Sequence, residues 1–237
     1  MNTCRWLFGA LTVVFTHLAL ATETLSVFEN QYTAKMYGLP LEATSKLNQL
    51  PDGNYELSFS ATAMLGSFFE SSQLKWSPED QTVIPLQYSY KRRGMGKNRD
   101  DSLTFDWTGK QVVNNVKNTN LPINATQKLQ DSLSYQLQLR QDLLAGKSDL
   151  TYSITDGKKI KQYRFEIAGE ETLKTPLGDV KTVKVKRSHK SEDRNTYAWF
   201  AKDFQYLLVR LQQEENGSAY TIYLSKASLN GKAIEHF

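Results

Sequence analysis

The sequence predicts an all-β protein: a strongly curved antiparallel sheet or open barrel with one helix packed on its concave side. Three observations predict it. About eleven segments show strand-type alternation or short apolar runs, with turn signals between them. Tight turns between consecutive strands make their pairing antiparallel. Only one stretch, Thr126 to Ala145, reads as a helix, although Leu133, Tyr135, Leu137 and Leu139 within it also alternate as a strand would. Most of the strands have a polar face, so the opposite apolar face must be buried by curling the sheet, and one helix is too little to cover it flat.

The chain of 237 residues opens with a secretory pattern. Arg5 precedes an apolar run from Trp6 to Leu20, and Ala19-Leu20-Ala21 supplies a small-x-small cleavage motif, which places the cut after Ala21. The run is shorter than the roughly 20 residues needed to span a bilayer. Cys4, the single cysteine, leaves with this leader, so the mature chain has no disulfide, thiol nucleophile or thiolate metal site. A secreted protein of this size without disulfides fits a bacterial periplasm, where it would be soluble. The domain expectation is a signal peptide over 1–21 and one β-rich domain over 22–237, since no Pro/Gly/Ser-rich linker divides the roughly 215 residues that remain. The net charge of +4, one lower once Arg5 is lost, is too mild for a nucleic-acid binder.

Leu25 to Tyr37 reads as the first strand, broken by Gly38-Leu39-Pro40 and resumed from Leu41 to Leu47. After the Pro51-Asp52-Gly53 turn, Tyr55, Leu57, Phe59 and Ala61 alternate with Glu56, Ser58 and Ser60, which marks one buried and one wet face. Phe68 to Trp76, Leu86 to Tyr90, Leu103 to Trp107 and Gln111 to Val116 follow, and Asn118 to Asn124 reads as a loop. In the helix Asn124 or Thr126 would cap the start and Gly146 the end, with Asp131 as a first-turn carboxylate. Leu150 to Ile154, an Asp156-Gly157 turn and Ile160 to Ile167 form a hairpin, and Val180 to Arg187 follows the Pro176-Leu177-Gly178-Asp179 turn. Asn124-Ala125-Thr126 and Asn216-Gly217-Ser218 match a glycosylation sequon, and in a bacterial protein they serve as turn residues.

The densest patterning lies at Thr196 to Leu224. The first strand there is apolar on both parities, which predicts cover on both faces. Asp203 falls in a turn, Tyr206 to Leu211 forms the next strand, and Asn216-Gly217 is a hairpin turn because both residues tolerate positive φ. Trp199, Phe200, Tyr206, Leu208 and Ile222 are the expected core.

Three segments carry a family resemblance: Asp131-x-Leu133-Ser134-x-x-Leu137-x-Leu139-Arg140, TPLGDVKTVKVKR from Thr175 to Arg187, and WFAKDFQYLLVR from Trp199 to Arg210. In this order they resemble a family of bacterial exported proteins named as domain of unknown function 3108 (DUF3108), across nearly the whole mature chain. The resemblance implies an exported, β-rich protein and assigns no functional residue. The expected shape is also similar to that of the curved-sheet carriers that shuttle lipoproteins across the periplasm.

Candidate sites are few. Lys91, Arg92, Arg93, Lys97 and Arg99 crowd nine residues with two glycines, which fits a basic loop that meets an anion such as a lipid headgroup, lipopolysaccharide phosphate or acidic glycan. Set against this is a solvated hairpin neutralised by Asp100 and Asp101. Trp76 and Trp107, near strand ends, are the aromatic candidates for ligand contact. Lys181, Lys184, Lys186, Arg187 and Lys190 form a second basic run, read as a guard against edge pairing. Of the two mature histidines, His189 lies in a charged turn and His236 beside a C-terminus expected to move freely; neither has metal spacing, so no catalytic residue, metal or cofactor is expected. The carboxylate pairs Asp100 with Asp203 and Glu70 with Asp131 would suit a glycosidase only if folding brought them together.

The leading functional expectation is a non-enzymatic periplasmic binding or carrier protein for a hydrophobic or amphipathic envelope ligand. An envelope scaffold with a protein partner and a carbohydrate-active enzyme are the alternatives.

Overall fold

The structure is a computed structural model that describes residues 24–36, 39–64, 66–94, 96–124, 128–189 and 194–237. The expected leader with Cys4 and Ala21, the expected helix start at Thr126, and Lys190 lie outside the described residues.

The described residues begin with eight strands: β1 Phe28–Met36, β2 Leu39–Gln49, β3 Tyr55–Ala63, β4 Gly66–Ser77, β5 Thr82–Gly94, β6 Arg99–Asp106, β7 Gln111–Asn114 and β8 Thr119–Pro122. The short β9 Leu129–Gln130 leads into α1 Ser134–Leu144. Then come β10 Leu150–Thr155, β11 Ile160–Thr175, β12 Gly178–Ser188, β13 Arg194–Ala201, a 3-10 turn at Lys202–Phe204, β14 Leu207–Glu215, β15 Ser218–Leu229 and β16 Lys232–Ala233. All belong to one sheet, in the order β8-β7-β6-β5-β4-β3-β2-β1-β15-β14-β13-β12-β11-β10-β9, with β16 beside β15. Two meanders are thus fused where β1 pairs β15. Every pairing is antiparallel except β9 with β10. The sheet curves strongly without closing.

Local chemistry accounts for the bends. Asn216 (φ 50°) and Gly217 (φ 77°) form the expected two-residue turn, and Asn230-Gly231 repeats it before β16. Pro85 sits at a bulge of β5, where the missing N–H costs least. The β10–β11 turn reaches across the curve: a Cβ on Gly157 (φ 77°) would lie 2.5 Å from Leu103 Cδ2 of β6, so this close approach requires glycine.

The helix is shorter than its pattern predicted. Asp131 stops it from starting earlier: its Oδ1 accepts from the backbone N–H of Leu133 and Ser134, both at 2.7 Å, while Ser134 Oγ accepts from the Asp131 N–H at 2.9 Å. Asp131 is therefore a buried entry cap rather than a first-turn carboxylate. Upstream, Leu129 and Gln130 pair with Ser153 and Ile154 of β10. Gly146 ends the helix as expected: its N–H reaches Leu143 O and that of Lys147 reaches Asp142 O, the double bond of a Schellman cap.

Several other expectations change. The 118–124 loop contains β8. The described members of the second basic run, Lys181, Lys184, Lys186 and Arg187, lie on β12, which pairs with both β11 and β13, so they guard no edge; Lys184 instead sits over the rings of Tyr197 and Trp199. The C-terminus is tied down, with Phe237 N–H on Leu177 O and its ring 4.8 Å from Phe204. Trp199 and Phe200 are core as expected, while Tyr206, Leu208 and Ile222 are half-buried.

α1 lies against the concave face and divides the core. Leu133 and Leu137 pack with residues of β1–β7, whereas Leu139 and Leu143 pack with β10–β13. Its buried polar residues are well matched, with one exception taken up below. Gln138 accepts from the Val83 N–H and Asp142 accepts from Tyr152, Lys147 and Gln138; just before the helix, Gln130 donates to the Val83 carbonyl while its own Oε1 is left without a partner.

Candidate ligand-binding site

Register places one face of each strand under α1. On β1 this face is Phe28, Asn30 and Tyr32; Ser45 pairs with Asn30, and Phe59 with Ser45. On the other side Arg187 pairs with Thr196, Val185 with Ala198 and Val183 with Phe200, while Leu211 and Gln213 of β14 face Ala198 and Thr196. Between these strands and Tyr135, Gln136, Leu139 and Arg140 of the helix lies a cavity of about 190 Å³. Its walls are chiefly aliphatic and aromatic.

The cavity has a closed end and an open end. At the closed end Asn30, Tyr32, Arg140 and Leu207 are buried. At the other end Arg187, Thr196 and Gln213 are half-exposed. The four-residue step from Thr196 to Phe200 along β13 makes the wall roughly 13 Å long.

Arg140 is the exception among the buried polar side chains of α1. It is 5% exposed. Its Nε donates to Gln205 O at 2.7 Å and its guanidinium lies 4.8 Å from the Phe28 ring centre. Neither Nη1 nor Nη2 has a hydrogen-bond partner, and no ion pair with a carboxylate involves it among the described residues. Burial pulls this guanidinium down to about 10, so it stays charged at neutral pH. The carbonyl that holds it belongs to Gln205 (φ 51°), the first of two consecutive non-glycine residues with positive φ, the second being Tyr206 (φ 53°). Such residues cost on the order of 1–3 kcal/mol each. Beside Arg140, Tyr32 Oη donates to Leu208 O and accepts from Asn30 Nδ2, each at 3.2 Å. Burial pushes the Tyr32 phenol up, so it remains a neutral donor. Asn30 Oδ1 is buried with no partner.

The residues singled out from the sequence lie elsewhere, and none of the seven lines this cavity. Lys91, Arg92, Arg93, Lys97 and Arg99 surround the tip of the β5–β6 hairpin. Arg93 grips Asp100 with both terminal nitrogens at 2.7 and 3.0 Å, Arg99 pairs with Asp101, and Arg92 donates to Lys97 O. Trp76 pairs with Val83 near the start of β5, about 25 Å along that strand from Lys91. Trp107 donates to Pro85 O at 2.8 Å and stacks on Phe105. The basic loop and the two tryptophans therefore sit at opposite ends of β5.

Folding does bring Glu70 and Asp131 into one polar cluster. Tyr88 Oη donates to Glu70, and Ser72 Oγ donates to Asp131 Oδ2 at 2.6 Å. Burial chiefly, and the nearby Asp131 charge, push Glu70 up to about 7 against the Tyr88 hydrogen bond. Burial also raises Asp131. Neither lines the cavity. His189 meets Thr196 Oγ1 at 3.0 Å near the open end; burial and the adjacent Arg187 and Arg194 lower it. Among the described residues no group of three or more His, Cys, Asp or Glu side chains is placed to hold a metal ion. None of their helices is long and apolar enough to cross a membrane, which says nothing about spanning by strands.

A family model described as "Protein of unknown function (DUF3108)" matches residues 76–225, more than half of the chain. The chain belongs to this family. The matched span begins in β4 and runs through α1 and the second meander into β15, hence it includes Arg140, Arg187 and the 3-10 turn; β1 to β3 precede it. No curated protein matches the chain. Among solved structures it is similar to a β-barrel-like protein of domain of unknown function DUF1849 from Brucella abortus, with a TM-score of 0.59 and 8% identity over 89% of this chain and 100% of that one. At that identity the likeness concerns the fold alone. A candidate lipoprotein from Parabacteroides distasonis aligns at a TM-score of 0.28 and 13% identity, over 90% of this chain and 95% of that one.

Arg140 belongs to a motif quoted above, yet its role has no local signature. The helix reads as Leu- and Gln-rich filler, and the partners of Arg140 come from β1 and from the turn after β13.

Proposed function

We propose that this DUF3108 protein is a non-enzymatic binding or carrier protein of the bacterial periplasm, and that its cavity holds an amphipathic ligand with an anionic group. The observation that carries this is Arg140. A buried guanidinium with two unpaired nitrogens is costly, because the effective penalty for an unpaired buried ion is several kcal/mol. A ligand anion would supply the missing acceptors, and the apolar walls would take an acyl chain or similar group. The volume is only slightly above the ~150 Å³ of a cavity that takes one benzene. The anionic group and a few carbons would fit inside, with the rest leaving by the open end. The basic loop from Lys91 to Arg99 would act separately, as a surface contact with anionic envelope material.

The test is native mass spectrometry of the protein purified from its own envelope fraction without detergent. The expected result is a reproducible added mass that extracts as an anionic amphiphile and is absent from Arg140→Met. A bare mass, together with no uptake of added decanoate, would overturn the carrier reading and favour a scaffold that works through its surface.

A further inference from the structure

The closed end of the cavity holds more chemistry than an anion alone requires. Phe28, Asn30 and Tyr32 are successive residues on one face of β1. Arg140 lies over Phe28 and within electrostatic reach of Tyr32. The Asn30 side chain stands between these two rings on the same face of the strand and makes no hydrogen bond to the guanidinium. Its orientation is set by hydrogen bonding: Tyr32 Oη already donates to Leu208 O, so it can only accept from Asn30, which turns Nδ2 toward the phenol. Oδ1 is left as a buried acceptor without a donor, on a residue that is 1% exposed and lines the cavity. Arg140 and Asn30 are complementary in kind but do not bond each other, so two unmet demands share one end: Arg140 calls for acceptors carrying negative charge, and Asn30 calls for a donor.

We propose that this end is a head-group site for a carboxylate that carries a hydroxyl within a few bonds, that is, a hydroxylated acyl chain bound head inward. The proposal rests on the carrier reading above and adds the identity and direction of the head. The carboxylate meets Nη1 and Nη2 of Arg140, the hydroxyl donates to Asn30 Oδ1, and the chain runs past Leu57, Ala198 and Leu211 toward Thr196 and Gln213. A free amphiphile with the carboxylate outward would leave both inner demands unmet and would place its methyl end against a charge.

The experiment is calorimetric titration of the full mature chain with decanoate, both enantiomers of 3-hydroxydecanoate, decan-1-ol and decyltrimethylammonium, each below its micelle concentration. The expected order is one 3-hydroxydecanoate enantiomer, then decanoate, then decanol, with no binding of the cation. A single net hydrogen bond makes the hydroxyl advantage about 3- to 10-fold. Asn30→Leu should remove that advantage, so that 3-hydroxydecanoate and decanoate bind this variant with equal affinity whatever its affinity for decanoate, whereas Arg140→Met should weaken both acids. Equal affinity for decanoate and both hydroxy acids in the unaltered protein overturns the proposal while leaving the carrier reading intact, and this comparison holds even if Asn30→Leu fails to fold. Failure of every acid to bind overturns the carrier reading itself. An advantage that persists in a folded Asn30→Leu variant overturns the role of Asn30.

Discussion

At the tip of the β5–β6 hairpin, Arg93 and Arg99 each meet a carboxylate a few residues away in their own loop; beneath α1, Arg140 meets none. The first pair of arginines is loud in the sequence, as part of five cations in nine residues, and quiet in energy, because solvent and Asp100 and Asp101 already answer their charge. Arg140 is a single cation among leucines and glutamines, and it holds a large unmet demand because water is excluded around it. Charge density along a chain therefore ranks these regions in one order, and unmet hydrogen bonding ranks them in the other.

The sharpest way to break this comparison is Arg140→Met. Removing an unpaired buried charge should stabilise the empty protein by about 1–4 kcal/mol, raising the midpoint in a urea melt. Affinity for an anionic amphiphile should fall roughly 100-fold, as when one partner of a buried charge pair is truncated. A large loss of stability in the same melt would mean that Gln205 and Phe28 satisfy the guanidinium and that it poses no demand.

Asp131 offers a buried carboxyl whose two oxygens are both hydrogen-bonded. Asp131→Ala should cost about 2–4 kcal/mol in the same melt, because it strands the N–H groups of Leu133 and Ser134 and the hydroxyl of Ser72. A loss below that of an ordinary surface substitution would show that β9 and its pairing, rather than the cap, set the start of α1.

Glu70 tests an intermediate case. Its folded value of about 7 lies above the ordinary carboxylate value near 4.5, so between these pH values the folded state holds a proton that the unfolded chain has lost. This contribution to stability is therefore full below pH 4.5 and lost as pH rises through 7. Thermal melts at pH 5.5 and pH 8 should show the native protein more stable at the lower pH, with Glu70→Gln flattening the difference. Each kcal/mol involved corresponds to about 2–4 °C in a domain of this size. A pH difference unchanged in Glu70→Gln would assign the effect to another group.

The smallest effect is expected at Arg93→Gln. Its bidentate contact with Asp100 is exposed, so the melting shift should be near the limit of detection and vanish in high salt. Cavity binding should be untouched, since the loop is not part of the cavity wall. A loss of decanoate affinity in this variant would join the two regions functionally and end the contrast between them.

Much of the architecture was written locally. Alternation at Tyr55 to Ala61 and at Leu103 to Phe105 identified the buried face because a strand has a period of two, and Asn216-Gly217 marked its turn because both residues accept positive φ. Gly146 marked the end of α1 for the same reason. Periodicity places the start of α1 too early, because Leu129 and Leu133 continue a helical stripe and Asp131-x-x-Ser134, the pattern that stops it, also reads as ordinary helix sequence. β8 was missed because Thr119 to Pro122 has almost no apolar content; its pairing with β7 defines it.

By itself the sequence determined an antiparallel β protein with one central helix, and the family follows from it, because periodicity, turn chemistry and caps act between residues close along the chain. The tertiary structure alone decided that β1 and β15 fuse the two meanders. It alone set Arg140 of the helix beside Phe28, Asn30 and Tyr32, more than a hundred residues earlier in the chain, and beneath Gln205. Whether a polar group is satisfied depends on what surrounds it in space, and no spacing within α1 encodes that the carbonyl of Gln205 reaches Arg140 while no carboxylate does.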